Sequence, residues 1–212
     1  MKRSALFLDR DGTLVYPRHY PSSPQELHLY EGIGAALKAF QDRGFCLVMV
    51  TNQAGIARGY FTEEDLERMH IYLAEELAKS GVLLDAIYYC PHHPDGVVAE
   101  LAIRCDCRKP QPGMLLRAAK DLELDLQSSW FVGDILDDIE AGNRAGCRTV
   151  LVDLGTEQLP EQPIRRPDFV ARDTLHALGI ISRCERLGPE AELTYRPPSW
   201  LTAAESTEGI PQ

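Results

Sequence analysis

Two aspartates near the start of the chain have a spacing that could support acid–base or metal chemistry. Asp9 and Asp11 are separated by one residue and are followed by Gly12 and Thr13. In an extended segment, side chains two positions apart leave on the same face, so both carboxylates would point together. Carboxylates this close repel each other unless they share a proton or a cation, and Mg²⁺ prefers such oxygen ligands. A turn in which the aspartates only cap the backbone is the alternative for the pair by itself.

Polar residues in three later segments extend this pattern. Thr51 and Asp134 directly follow or end apolar runs, and Lys109 lies between them in the chain. The order and spacing of these residues and the aspartate pair resemble the haloacid dehalogenase superfamily of phosphatases, over roughly residues 4–153. Each part is a weak signal, but the combination is specific. By the same resemblance Asp138, four residues after Asp134, is expected to position the loop.

The resemblance implies a role for each of the main residues. Asp9 would be the nucleophile and form a phospho-aspartate. Asp11 would protonate the leaving oxygen and then activate water as a general base. Thr51 and Lys109 would stabilise charge on the transferring phosphoryl group. Mg²⁺ would be held by Asp9, Asp134 and the backbone carbonyl of Asp11.

A second group of candidate metal ligands stands in the middle of the chain. Cys90 and His92 form one close pair, Cys105 and Cys107 form another, and 12 residues separate His92 from Cys105. Three thiolates and one imidazole suit tetrahedral Zn²⁺, and four protein ligands leave no open position, so a structural site is predicted. His93 is adjacent to His92, and spacing does not decide which histidine is the ligand. Unrelated buried cysteines are the alternative to a metal site.

This zinc loop, residues 90–107, ends beside two basic residues. Arg108 and Lys109 follow Cys107 directly. A metal bound at Cys107 would therefore fix the segment that delivers both side chains to a phosphate group. The planar fork of Arg108 suits a bidentate grip on a phosphate or on sugar hydroxyls. A solvated surface arginine is the alternative interpretation.

The zinc loop and the segment 51–59 together resemble one branch of the superfamily, the D-glycero-D-manno-heptose-1,7-bisphosphate 7-phosphatases. The related histidinol-phosphate phosphatases share the zinc loop, whereas the stretch Asn-Gln-x-Gly-Ile-Ala-Arg-Gly favours the heptose enzymes. The resemblance implies removal of the 7-phosphate, with histidinol phosphate or another small sugar phosphate as the alternative substrate. It also implies substrate contacts at Arg10, Asn52, Gln53, Ala54 and Arg108.

Two segments of this chain depart from the pattern of that branch. Ile135 stands where a lysine often follows the fourth-motif aspartate. Val15–Tyr20 stands where the branch often has Asn-x-Asp-x-Gly-Tyr. Both segments are expected near the substrate mouth. Either Arg18 and His19 replace a lost contact, or the substrate differs.

Apolar runs alternating with helical segments predict the elements that would position these residues. Strands are predicted at Ala5–Leu8, Phe45–Val50, Ala86–Tyr89, Trp130–Val132, Thr149–Val152 and Pro167–Val170. Helices are predicted at Ile33–Phe40, Thr62–Ser80, Gly113–Leu122, Asp137–Ala145 and Thr174–Leu178. This alternation predicts an α/β fold with a doubly wound parallel sheet and no large cap domain, with ligands bound beyond the carboxyl ends of the strands.

Length and composition set the remaining expectations. The 212 residues fit one phosphatase domain over 1–182 with a loosely ordered tail over 183–212. A net charge of −10 disfavours nucleic acid as a partner. No apolar run approaches the roughly 20 residues needed to span a bilayer. We therefore expect a cytoplasmic enzyme that acts on a small phosphorylated metabolite, as a monomer or weak oligomer.

A non-enzymatic phospho-acceptor module, such as a response-regulator receiver, is the alternative from another functional class. Receivers also place acids, a threonine and a lysine on a doubly wound sheet. Their phosphorylated aspartate follows the third strand, however, whereas Asp9 follows the first predicted strand of this chain. The zinc loop is also foreign to receivers, so the enzyme is favoured.

Overall fold

The computed structural model of the 212-residue chain describes residues 2–158 and 160–187. Its strands are β1 Ala5–Leu8, β2 Cys46–Asn52, β3 Ala86–Cys90, β4 Trp130–Gly133, β5 Arg148–Val152 and β6 Phe169–Ala171. Its α-helices are α1 Ile33–Gln41, α2 Glu63–Ala78, α3 Gly113–Asp121, α4 Leu136–Ala145 and α5 Thr174–Leu187. Every predicted strand and helix is therefore present, and the ends differ by at most two residues except at the end of α5.

The strands form one six-stranded sheet in the order β3-β2-β1-β4-β5-β6. All neighbouring strands in it are parallel. The chain builds outward from β1 to β2 and β3, and then returns to place β4 on the other side of β1. In such sheets the connections before and after this reversal leave on opposite faces, and ligands bind in the crevice at the carboxyl ends of the strands there. The predicted doubly wound sheet is confirmed, and β1 carries its switch point.

Both faces of the sheet are covered by helices, which explains why the central strands are apolar throughout. In β1, Leu6 and Leu8 pack into the apolar cluster on one face, whereas Ala5 and Phe7 pack into the cluster on the other. This alternation follows from the two-residue period of a strand. All four side chains are fully buried. Asp9, which directly follows β1, is therefore attached to a rigidly packed strand.

The last helix is longer than predicted. α5 continues from the predicted end at Leu178 to Leu187, because Ile181 and Cys184 extend the buried stripe that Ala177 begins. Gly179, just after the predicted end, and the polar residues Ser182 and Arg183 hide the stripe in the sequence. The predicted domain boundary at residue 182 falls inside α5, and the part of the predicted tail from residue 188 lies outside the described residues. Across the described ranges, no helix has both the length and the apolar character that a bilayer crossing requires.

Candidate active site

Three strand ends bring the first-motif aspartate and its predicted helpers to one edge of the sheet. Asp9 follows β1, and its backbone N–H donates to the Val132 carbonyl of β4 at 3.0 Å. Thr51 lies near the end of β2, and Asp134 follows β4. Because β1 lies between β2 and β4, the three residues lie at the same edge of the sheet, at its switch point.

A buried lysine joins two of the carboxylates at this edge. Lys109 Nζ donates to Asp9 Oδ1 at 2.5 Å and lies 2.6 Å from Asp138 Oδ1. The same ammonium donates to the Val50 carbonyl at 3.0 Å. Only 2% of Lys109 is exposed. Burial lowers the pKa of Lys109, but the two carboxylates outweigh burial and raise it, so the ammonium stays charged.

Asp134 completes a group of three carboxylates around one ammonium. Carboxylate oxygens of Asp9, Asp134 and Asp138 lie within 4.8 Å of one another. Burial, reinforced by the neighbouring acids, raises the pKa of Asp134 to about 8. Burial likewise raises the pKa of Asp9 to about 7, although Lys109 opposes it. Carboxylates crowded in this way favour protons or a further cation, and the donor set fits Mg²⁺.

Gly12 allows this close approach. Its φ of +82° is a left-handed conformation that glycine adopts readily. A Cβ atom on Gly12 would also lie 2.3 Å from Asp134 Oδ2. The glycine of the first motif is therefore required twice, by the backbone conformation and by the space that Asp134 occupies.

The side chain of Asp11 is held by other residues, outside the group of three carboxylates. Arg10 donates to Asp11 Oδ2 through Nε at 3.0 Å and through Nη2 at 2.8 Å. Gln53 Nε2 donates to the same oxygen at 3.2 Å. Both Arg10 and Gln53 are buried. Arg10 and Gln53 were predicted to contact substrate, and their side chains contact Asp11. The predicted contact of Asp11 with Mg²⁺ involves only its backbone carbonyl, so these hydrogen bonds do not affect it.

Asn52 contacts the backbone of Lys109 through both ends of its amide. Its Oδ1 accepts from Lys109 N at 3.0 Å, and its Nδ2 donates to Lys109 O at 3.1 Å. The sequence predicts Asn52 as a substrate contact and does not predict this contact with the Lys109 backbone. The two residues are 57 positions apart, and no local pattern connects them. Asn52 therefore places the lysine backbone at the end of β2.

Thr51 lies beside these groups in the buried base of the site. It is 1% exposed, and its Oγ1 accepts from Gln53 Nε2 at 2.9 Å. The same amide nitrogen reaches Asp11. Gln53 thereby connects the predicted phosphate-contacting hydroxyl with the predicted acid–base carboxylate.

The four predicted zinc ligands come together beside β3. Cys107 Sγ lies 3.2 Å from the sulfur atoms of both Cys90 and Cys105. His92 Nδ1 lies 3.4 Å from Cys107 Sγ and 3.6 Å from Cys90 Sγ. The hydrogen bond between the Cys107 and Cys90 thiols is the main cause that lowers the pKa of Cys107 to about 5. The distances and the preference for a thiolate fit a tetrahedral metal ion.

The neighbouring histidine has other contacts. His93 Nε2 lies 3.1 Å from Arg58 Nη2, and its Nδ1 accepts from Asp95 N at 3.1 Å. The structure therefore brings His92 to the three thiols and turns His93 toward the loop that contains Arg58. Spacing alone could not separate these two positions, because adjacent side chains point in different directions.

Arg108 contacts two of the candidate zinc ligands, one through its backbone and one through its side chain. Its backbone N–H donates to Cys105 Sγ at 3.3 Å. Its Nη1 donates to the His92 carbonyl at 3.3 Å. The next residue, Lys109, is held by Asn52. The two basic residues after the zinc loop are thus fixed by contacts on both sides.

A cavity of about 200 Å³ opens beside Asp11. Its wall includes Arg18, His19, Ala54 and Arg108. The segment 15–20, which differs from the pattern of the heptose phosphatases, thus borders the same cavity as the residue that follows the zinc loop. Ile135 is not among its lining residues. Arg10 also lines the cavity but is paired with Asp11, so Arg18 and Arg108 are the arginines that give its wall positive charge suited to an anionic ligand.

A larger cavity of about 550 Å³ lies between α2 and β3 and is lined by Glu63, Glu67, His70 and Tyr89 among others. It contains none of the predicted site residues. Three lining glutamates make it a poor site for a phosphate, because like charges repel. The smaller cavity is therefore the candidate active site.

Comparison with known proteins gives matches along most of the chain. The model of the HAD-hydrolase-like family matches residues 106–177. A Haemophilus ducreyi protein named D-glycero-beta-D-manno-heptose-1,7-bisphosphate 7-phosphatase is 48% identical over 157 residues, which cover 73% of this chain and 86% of that protein. A Yersinia pestis protein of the same name is 47% identical over 152 residues, which cover 71% of this chain and 81% of that protein.

Among solved structures, the chain is similar to D,D-heptose 1,7-bisphosphate phosphatase from B. bronchiseptica, complexed with magnesium and phosphate. The TM-score is 0.71 with 32% sequence identity, and the match covers 84% of this chain and 98% of that chain. Sequence and fold therefore point to the same relatives.

Proposed function

The chain belongs to the HAD-like hydrolases, in the branch of the heptose-1,7-bisphosphate 7-phosphatases, and we propose that it removes the 7-phosphate of D-glycero-beta-D-manno-heptose 1,7-bisphosphate. Membership of this branch makes it a phosphoric monoester hydrolase. The observation that carries the mechanism is the buried contact of Lys109 with Asp9 at the switch point of the sheet. It supports Asp9 as a nucleophile placed next to a fixed positive charge.

In the proposed reaction the phosphoryl group is transferred twice. An Asp9 oxygen attacks phosphorus, the bond from phosphorus to the sugar oxygen breaks, and Asp11 gives that leaving oxygen a proton. Water then attacks the phospho-aspartate while Asp11 takes its proton, and inorganic phosphate leaves with Asp9 restored. Lys109 and Thr51 stabilise the charge on the phosphoryl oxygens in both steps.

The proposal includes Mg²⁺ held by Asp9, Asp134 and the backbone carbonyl of Asp11. When bound, the ion supplies positive charge that reduces repulsion between the Asp9 carboxylate and a phosphate dianion. The three clustered carboxylates with one ammonium support this assignment. Asp138 contacts Lys109 at 2.6 Å, so we assign it to positioning that lysine.

Two arginines on the cavity wall support a substrate with a second anionic group. Arg18 and Arg108 both line the space beside Asp11. A sugar bisphosphate offers a second phosphate to this wall. Histidinol phosphate offers an amine and an imidazole, which gain nothing from guanidinium groups. The wall therefore favours the bisphosphate over the related substrate.

A direct assay separates the two substrates. With Mg²⁺ present, we expect kcat/KM for the heptose bisphosphate to exceed that for histidinol phosphate by about 100-fold or more, because a lost charged contact costs about 3 kcal/mol or more. Phosphate release is measured for both under the same conditions. A preference for histidinol phosphate would reverse the assignment of substrate while leaving the phosphatase mechanism intact.

We also propose that Zn²⁺, held by Cys90, His92, Cys105 and Cys107, fixes the segment that carries Arg108 and Lys109. The hydrogen bonds from Arg108 to Cys105 and to His92 support this link. With four protein ligands, the ion would serve structure and leave no position for substrate.

Replacing Cys107 with Ser should remove zinc and weaken both the fold and the reaction. Loss of a structural ion should lower the free energy of unfolding by several kcal/mol, and thus Tm by about 10 °C. A displaced Arg108–Lys109 segment should lower kcat by about tenfold or more. Zinc content, Tm and kcat are measured on the same preparation.

Cys46→Ser is the matched control, since Cys46 is buried at the start of β2, six residues before Asn52, which pairs with Cys90. We expect it to keep its zinc and its kcat, although a buried hydroxyl lowers stability. Full activity in a verified zinc-free Cys107→Ser enzyme would contradict the proposed link.

A cytoplasmic location is part of the proposal and rests on the use of thiols. The six cysteines are free, and three of them form a cluster suited to a metal that reducing conditions preserve. A monomer or weak oligomer stays a prediction.

A further inference from the structure

We propose that Arg10 and Gln53 are positioning residues that hold the Asp11 carboxyl by its Oδ2 oxygen and so fix the group that exchanges protons during the reaction. The inference rests on the proposed function, because it concerns residues of the same site. It differs from the contacts that the sequence implies, in which Arg10 and Gln53 bind substrate directly.

The two oxygens of the Asp11 carboxyl have different surroundings. Oδ2 accepts three N–H groups: Arg10 Nε at 3.0 Å, Arg10 Nη2 at 2.8 Å and Gln53 Nε2 at 3.2 Å. Oδ1 accepts no hydrogen bond from the described residues. The carboxyl is therefore held through Oδ2, by the side chains of Arg10 and Gln53.

The Arg10 guanidinium is placed for this role and is poorly placed to meet a substrate. Its side chain is fully buried, although the residue borders the cavity. A buried guanidinium needs a carboxylate partner, since an uncompensated buried charge costs several kcal/mol. Asp11 is the ion-pair partner that the structure gives it. Arg10 and Asp11 therefore constrain each other.

Gln53 adds a second constraint from a different strand. Its amide nitrogen donates to both Asp11 Oδ2 and Thr51 Oγ1, at 3.2 and 2.9 Å. Its backbone is fixed as well, because Gln53 N donates to the Cys90 carbonyl at 2.8 Å. The plane of the Asp11 carboxyl is thus set by β1 and β2 together.

The proton balance follows from this geometry. In the first step the carboxyl O–H bond of Asp11 breaks, and the sugar oxygen takes the proton as its bond to phosphorus breaks. The charge left on the carboxylate is stabilised at Oδ2 by Arg10. In the second step a proton from the attacking water returns to the Asp11 carboxylate. Arg10 itself keeps its protons throughout, as guanidinium groups do in proteins.

The test uses Arg10→Met with p-nitrophenyl phosphate and a sugar phosphate. Nitrophenolate leaves without a proton, so its first step needs no acid from Asp11, whereas hydrolysis of the phospho-enzyme still needs the base. We expect a burst of about one nitrophenolate per site at about the native rate, and a steady-state rate about 100-fold lower. With the sugar phosphate, the burst should be absent because the first step is also slowed.

The steady-state constants distinguish positioning from substrate binding. Positioning predicts a lower kcat with KM within about threefold of native, and partial rescue by Arg10→Lys, which keeps the charge. Gln53→Met should show the same signature at about tenfold, and it keeps the inference testable if Arg10→Met fails to fold. Arg68→Met on α2, where the side chain is 62% exposed, is the matched control and should behave as native.

Three outcomes would overturn the inference. A raised KM with native kcat would place Arg10 on the substrate. An equal loss in burst and steady-state rates would reduce Arg10 to structural support. If the native enzyme hydrolyses neither compound, the proposed function itself is wrong. If the native enzyme is active and the variants behave as native, only the inference about Arg10 and Gln53 is wrong.

Discussion

Replacing Asp9 with Asn is expected to abolish turnover while leaving the protein folded. An amide cannot attack phosphorus as a carboxylate does, so kcat should fall by about 10⁴-fold or more. The fold should tolerate the change, because burial raises the pKa of Asp9 to about 7 and thus already disfavours its charge. Phosphate release and circular dichroism are measured together. Native enzyme quenched during turnover should also carry a phosphoryl group on the peptide that contains Asp9.

Asp137→Asn is the matched control for this prediction. Asp137 belongs to α4 and contacts Arg165 at 2.8 Å, outside the group of clustered carboxylates. We expect native kcat from this variant. If the Asp9→Asn enzyme keeps activity within tenfold of native, the phospho-aspartate mechanism is wrong.

Replacing Lys109 with Met is expected to damage stability and catalysis together. The change removes the ammonium that contacts Asp9 and Asp138 and leaves both carboxylates buried. Uncompensated buried charge costs about 3–5 kcal/mol, measurable as a lower free energy of unfolding in urea. Loss of the positive charge at the phosphoryl group should also lower kcat by about 10²–10³-fold.

The pH dependence of this variant tests the cause of its instability. Lys109 is the main group that opposes the effect of burial on the pKa of Asp9 and Asp138, so its loss should raise both pKa values further in the folded state. The folded variant then binds protons more readily than the unfolded chain, so its stability falls as pH rises above the unfolded pKa of about 4. Its deficit relative to native should therefore shrink as pH is lowered. A deficit that is constant with pH would point to lost packing.

A double variant separates the two effects further. Asp138→Asn added to Lys109→Met removes one of the two uncompensated charges, so part of the lost stability should return. The rate should not return, because the phosphoryl group still lacks the ammonium. Recovery of both would mean that Lys109 acts on catalysis only through stability.

The sequence could predict the positions of the main residues because each signal is local. Asp9 and Thr51 follow or end apolar runs, and in a parallel sheet all such ends meet at one edge. The four candidate zinc ligands were also predicted from a local signal, because they form two close pairs at the ends of one loop. Resemblance to a known superfamily then supplied the roles.

The sequence could not predict which partners the polar side chains choose. Asn52 contacts the Lys109 backbone across 57 positions, and Arg10 turns to its neighbour Asp11. Both choices depend on which groups the fold brings within hydrogen-bonding distance, and no periodic pattern records them. The length of α5 was not predicted, because Gly179, Ser182 and Arg183 interrupt the apolar pattern of its buried side in the sequence.

The double anchorage of the Arg108–Lys109 segment separates the placement of the lysine from the loop that precedes it. Asn52 fixes Lys109 from one side and the thiol cluster fixes Arg108 from the other, so the stretch 93–104 is not needed to place the lysine. That stretch instead contacts the loop after β2, where Val97 N and Val98 N donate to the Ala57 carbonyl. Exchanges within it should therefore affect the loop after β2 and leave the lysine in place.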